Sequence, residues 1–322
     1  MSADGLRTVV GRQDAADLLP HDLPAELPRP RGPMTDALMD CLRRDPGSTR
    51  VNPARLTWSG ATAEATTDHD LQLALWLAYE LPYRGLCGVD DAWERHPGLI
   101  EVIEEWEDLL LDALVSVTGG SSMAGAPGTV AASSGRPSFS QALIREATVD
   151  QFREFLVHRS ISYLKGSDPH TWSIPRLSGS ADAAMVTGQA DDGCSGGTGA
   201  MNGQLFRALL AEWGLDTRYG RYLDCVPGIT LLTSNMISMF GRHRRFRAAL
   251  SGQLAMFEMT FSLPNAAHAQ TAAHDLGGGL AVAEPRQRDD ILFGARCAAY
   301  ADEQFVAWVS PRWAAGQSSL LQ

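Results

Sequence analysis

Positive charge is in short supply in this sequence. Its 322 residues carry 27 Lys and Arg against 38 Asp and Glu, a formal net charge of −11. A nucleic-acid partner needs a basic face to meet phosphate, and no surplus exists to build one. The same field repels an anionic membrane surface. Long apolar runs are also missing: no window approaches the ~20 residues that span a bilayer. The start, MSADGLRTVVGRQDAADLL, has no apolar stretch behind a basic one. No signal peptide is readable there, and a cytoplasmic location is the expectation.

Cysteine is sparse and unpaired. Cys41, Cys87, Cys194, Cys225 and Cys297 are odd in number and form no CxxC, which excludes zinc ribbons and disulfide frameworks. Four read as small apolar filler; Cys194 stands apart in the glycine-rich GCSGGTGAMNG at 193–203. That segment lacks the lysine and preceding strand of a phosphate loop. Walker A, GxGxxG, GxSxG and HExxH patterns are absent, as is Glu-x-x-His, the pair that helical di-iron sites use. Period-two alternation and internal repeats are absent too, which argues against sheets and solenoids.

What is present is helical periodicity. Hydrophobic residues make up 44% of the chain, enough for a large core. Residues 1–34 are punctuated by Pro20, Pro24, Pro28, Pro30 and Pro33 and read as an extended arm. From about Thr35 the chain reads as one helical domain to residue 322, with a flexible Gly/Ser/Ala/Pro loop over 118–140. Helices are expected over Asp68–Leu81, Pro97–Val117, Asp150–Lys165, Ala181–Gln189, Asn202–Trp213, Val226–Arg242, Arg244–Ser262 and Asp289–Ala315, the last bent near Pro311. In Pro97–Val117, Leu99, Ile103, Trp106, Leu110, Ala113 and Leu114 form the apolar stripe. Glu101, Glu104, Glu105, Asp108 and Asp112 face water. The class is all-α, a compact bundle.

Polar residues at helix ends supply the candidate site. In YELPYRG, Glu80 and Arg84 lie four apart and can pair across a turn, with Tyr83 between them. Arg159, Ser162, Tyr163 and Gly166 share one helix face and suit a pocket wall. Glycine is equally at home there as a helix C-cap. Asp168-Pro169-His170 makes a rigid turn in which His170 is a weaker candidate. The basic run RHRRFR at 242–247 reads as a helix start that pairs with neighbouring acids.

Several segments in order resemble the heme-oxygenase-like non-heme diiron oxidases. They are YELPYRG with VDDAWE (79–94), RSISYLKGSDPHTWSIPRL (159–177), GQADDG (188–193), LFRALLAEWGLDTRYGRYLDCVPG (205–228), SMFGRHRRFRAAL (238–250) and FEMTFSLPN (257–265). The resemblance implies a heme-oxygenase-like bundle with a pocket between core helices. Such proteins typically hold two irons there and use O₂ to oxidise small molecules, often in secondary metabolism. It also implies a Glu where this chain has Gly166, a Glu at Asp192 and a His at Asn202. A last ligand helix with His, Asp and His should follow FEMTFSLPN, but Asn265 runs through AAHAQT almost directly into AAHDLGGGLAVAEP. His268 or His274, with Asp192 and Glu258, would be the replacements in an altered iron site.

Glycine offers no ligand atom and Asn only a neutral oxygen, so the expectation is a degenerate metal site and no cofactor, with iron as the alternative. The expected activity is a metal-independent reaction on a small organic substrate in a repurposed pocket. Glu80, Arg159, Tyr163, Asp192 and His170 would do the chemistry; Tyr83, Ser162, Gly166, Asn202 and Cys194 would line the site. An iron- and O₂-dependent oxidase with altered ligands, and a non-catalytic homologue supporting a partner enzyme, are the alternatives. Dimers are common for this fold, so a homodimer is compatible.

Overall fold

A computed structural model describes residues 23–119, 146–165, 199–261 and 285–321. Among these residues there are nine α-helices and no named strand. They are α1 (Pro33–Leu42), α2 (Pro53–Leu56), α3 (His69–Glu80), α4 (Pro97–Val117), α5 (Val149–Tyr163), α6 (Gly199–Glu212), α7 (Gly228–Arg242), α8 (Arg247–Phe261) and α9 (Pro285–Ala314). The fold is all-α, as the periodicity requires, and the expected helices recur within a few residues of their bounds. The stretch Ala181–Gln189 lies outside the described residues, as does most of the loop at 118–140.

α3 and α7 form the centre. Every residue of α3 from Leu71 to Glu80 is buried, and α7 is buried along nearly its whole length. α7 packs against α3, α5, α8 and α9. Local chemistry fixes where these helices start. The Asp68 side chain accepts from the Leu71 N–H at 2.7 Å to cap α3. Thr148 and Gln151 exchange side-chain and backbone hydrogen bonds at the start of α5.

α8 and α9 make the most extensive helix pairing among the described residues. Gly252 and Gly294 let the two backbones touch. A methyl on Gly252 would overlap the Ile291 carbonyl, and one on Gly294 the Ala249 carbonyl. α9 passes through Pro311 and ends three residues later at Ala314.

The described part of the arm is extended and docked. Ala25 is buried and forms a parallel bridge with Leu86. Arg31 is tucked inward and donates to the carbonyls of Leu223 and Val226. Burial pushes its guanidinium down to about 10, with Asp224 opposing. Of the cysteines expected as apolar filler, Cys297 is buried, and Cys41 and Cys225 are half-buried. Cys87 departs from that reading: it is exposed, its thiol donating to the Pro24 carbonyl where the arm crosses.

Candidate active site

The last turn of α3 carries a buried carboxylate. Gln72, Trp76 and Glu80 recur at four-residue steps, so they form one stripe, and that stripe is fully buried. Glu80 receives the Lys165 ammonium on Oε1 at 2.6 Å. Tyr219 donates its hydroxyl to the same oxygen at 2.8 Å. Among the described residues, no hydrogen-bond partner reaches Oε2, which is also buried.

Lys165 is held from both ends. Its carbonyl accepts from the Tyr83 hydroxyl at 3.3 Å, and its ammonium also approaches Ser234 Oγ at 3.4 Å. The ammonium lies 5.5 Å from the Trp76 ring centroid and 5.3 Å from that of Tyr83. Aromatic faces stabilise a desolvated cation in this way. Burial, then the Glu80 charge, raises the Tyr219 hydroxyl well above its ordinary range, so it stays a donor. Gly85, at φ +70°, returns its N–H to the Glu80 carbonyl at 2.8 Å and closes the turn that presents Tyr83 and Arg84.

This differs from the pairing expected within YELPYRG. The ion-pair partner of Glu80 is Lys165, from a segment 85 positions away in sequence, and Arg84 instead lies over the Tyr219 and Tyr83 rings at 4.7 and 5.2 Å. The sequence reading missed Lys165, Tyr219, Ser234 and Trp76. A signal for Lys165 was present. It is the single lysine in the chain, every other cation among the 27 being arginine.

The remaining predicted residues fall elsewhere. Arg159 sits between the Phe155 and Phe305 rings, 4.8 Å from each, and 3.9 Å from Asp302. Burial pushes its guanidinium down to about 10 and raises the Asp302 carboxyl. Ser162 lines a small cavity with His158, Arg159, Thr230, Thr233 and Phe305. Next to it, His158 bridges Thr230 Oγ1 and Ser319 Oγ at 2.8 and 3.0 Å. Tyr163 stacks on Phe206 of α6. Thus Glu80 and Tyr83 meet in one cluster, and Arg159 and Ser162 in another. Gly166, His170, Asp192 and Cys194 lie outside the described residues; Asn202 is in the first turn of α6, its side chain not among those described.

A second buried carboxylate faces Tyr79, the residue before Glu80 on α3. Glu107 of α4 meets His243 Nε2 at 2.6 Å and faces the Tyr79 hydroxyl. Burial, then the Glu107 charge, raises that hydroxyl well above its ordinary range. The five acids read as solvent-facing on α4 are indeed exposed. The basic run at 242–247 pairs with acids, as read: His243 with Glu107, and Arg245 with Asp108 at 3.6 Å.

A groove opens between the arm and the 218–224 turn. Leu23, Pro24 and Leu27 line one wall, Arg218 and Asp224 the other, and Tyr219 contributes between them. Tyr219 therefore touches the groove and Glu80 alike.

The profile of a family described as iron-containing redox enzyme matches residues 153–266, which include Lys165, Tyr219 and Ser234. The resemblance read from the sequence thus holds over that stretch, and it supports a heme-oxygenase-like fold enzyme. No curated protein matches the chain. Among the described residues, no three His, Cys, Asp or Glu side chains gather as a metal site would need. Glu80 faces an ammonium rather than an open ligand shell. The positions that the resemblance assigns to iron ligands, Gly166, Asp192 and Asn202, lie outside the described side chains. No helix among the described residues is long and apolar enough to cross a membrane.

Proposed function

We propose that this chain, whose residues 153–266 carry the pattern of the iron-containing redox enzymes, is a cytoplasmic enzyme of secondary metabolism. It moves a proton on a small organic substrate at the Glu80–Lys165 pair without a diiron centre. One observation carries the reading: a fully buried carboxylate has one oxygen neutralised by the only lysine and the other oxygen unpaired among the described residues. An unsatisfied buried acceptor costs about 1–3 kcal/mol, which a ligand donor would recover.

The division of labour follows from the contacts. Glu80 Oε2 takes or returns the proton. Lys165 and Tyr219 hold the carboxylate in place through Oε1 and offset its charge. Trp76 and Tyr83 keep water from the ammonium. In a site shielded from water these electrostatic interactions are strong.

The deciding measurement is iron retained after anaerobic ferrous loading and desalting. Retention well below one iron per chain is expected. Two irons per chain, with turnover lost to a chelator, would end this proposal and favour the oxidase reading, which the family match motivates.

A further inference from the structure

Two donors and one acceptor at the Glu80 cluster have no ligand of their own. The Trp76 indole N–H is fully buried with no hydrogen-bond partner among the described residues. The Lys165 ammonium has three N–H groups, and two are directed at Glu80 Oε1 and Ser234 Oγ. Glu80 Oε2 is the unpaired acceptor. Trp76 and Glu80 stand one helical turn apart on the buried face of α3, and the ammonium is 5.5 Å from the indole centroid.

We infer that the substrate is a carbonyl compound with a removable proton on the adjacent carbon, an assignment that rests on reading Glu80–Lys165 as an acid–base site. The carbonyl oxygen has two lone pairs, and two N–H donors await one acceptor. When the neighbouring C–H proton passes to Glu80 Oε2, its electron pair becomes the C=C bond. The carbonyl π pair moves onto oxygen, and the enolate oxygen rests between Lys165 and Trp76. Returning the proton to carbon restores the carbonyl, so no oxidant or reductant enters the balance. Donors aimed at developing oxygen charge are among the strongest catalytic devices proteins use.

The choice of lysine fits this role. Elsewhere the chain uses arginine for every cation, and a planar guanidinium presents a broad fork. An ammonium is a compact point charge that serves a carboxylate and a substrate oxygen together. Tyr219 links Glu80 to the groove between the arm and the 218–224 turn, which its side chain lines.

The test is α-proton exchange of pyruvate, dihydroxyacetone and butanone in D₂O, followed by proton NMR. Protein grown on ¹³Cε-lysine gives one lysine resonance, that of Lys165, which reports both the fold and the binding of probe. Wild-type protein and the remote variant Arg245→Ala should accelerate exchange of at least one probe and shift the lysine signal. Glu80→Gln should return exchange to the buffer rate. Trp76→Phe, which leaves the ion pair intact, should slow it about 10²-fold, its lysine signal still that of folded protein. Exchange above the buffer rate in Glu80→Gln, or at the wild-type rate in Trp76→Phe, overturns the assignment. So does the absence of exchange with and without added ferrous ion, a result that leaves the metal-free reading to iron loading. Exchange that appears only with ferrous ion and disappears with chelator overturns the metal-free reading instead.

Discussion

Of two buried glutamates, Glu80 ends α3 and Glu107 faces Tyr79 of α3 from α4, and they are paired in opposite ways. Glu80 is sealed inside with the lone lysine and Tyr219, and one of its oxygens is unpaired. Glu107 pairs with His243, whose side chain is 33% exposed at the end of α7. The second pair connects the core to water and can relax when disturbed. The first has no such outlet. Burying an ion pair costs desolvation, and replacing both partners by apolar groups is often harmless, whereas removing one strands the other.

The largest effect should come from stranding Glu80. Lys165→Met should cost about 3–5 kcal/mol in urea unfolding, and adding Glu80→Leu should recover most of it. A double variant no more stable than the single one would show that the pair is not what holds this region. Glu107→Gln should cost less, about 1–3 kcal/mol, because it weakens a charged contact while His243 keeps its access to water. Equal losses at the two glutamates would erase the distinction drawn here.

Acid sharpens it further. Burial, with Arg159 nearby, pushes His158 from 6.5 down to about 3. Between those values the unfolded chain holds a proton that the folded chain refuses. Stability should therefore fall by about 1.4 kcal/mol per pH unit as pH drops from 6.5 towards 3, and be flat above. His158→Gln should remove that slope. An unchanged slope in the variant would assign it to other groups. The smallest change belongs to Arg245→Ala: its pair with Asp108 is exposed on both sides, so a few tenths of a kcal/mol in thermal unfolding is expected.

Much of the architecture was legible because helices announce themselves by local spacing. Pro97–Val117 is found with the bounds its apolar stripe and Pro97 imply. The site was half legible. Glu80 and Tyr83 stand in a helix-end motif and were found by local reading. Lys165 and Tyr219 reach Glu80 across 85 and 139 positions in sequence, and no periodicity carries that information. Glu107 was hidden for the opposite reason. It sits among exposed acids on α4, and only the helical phase separates it from Glu104, Glu105 and Asp108. Composition held the one global clue, a single lysine among so many arginines.

The bare-backbone crossing of α8 and α9 has a mechanical consequence. With only hydrogen at Gly252 and Gly294, neither helix can slide along the other without driving a side chain into a carbonyl. That seam is a keel. Along it the two helices move as one body.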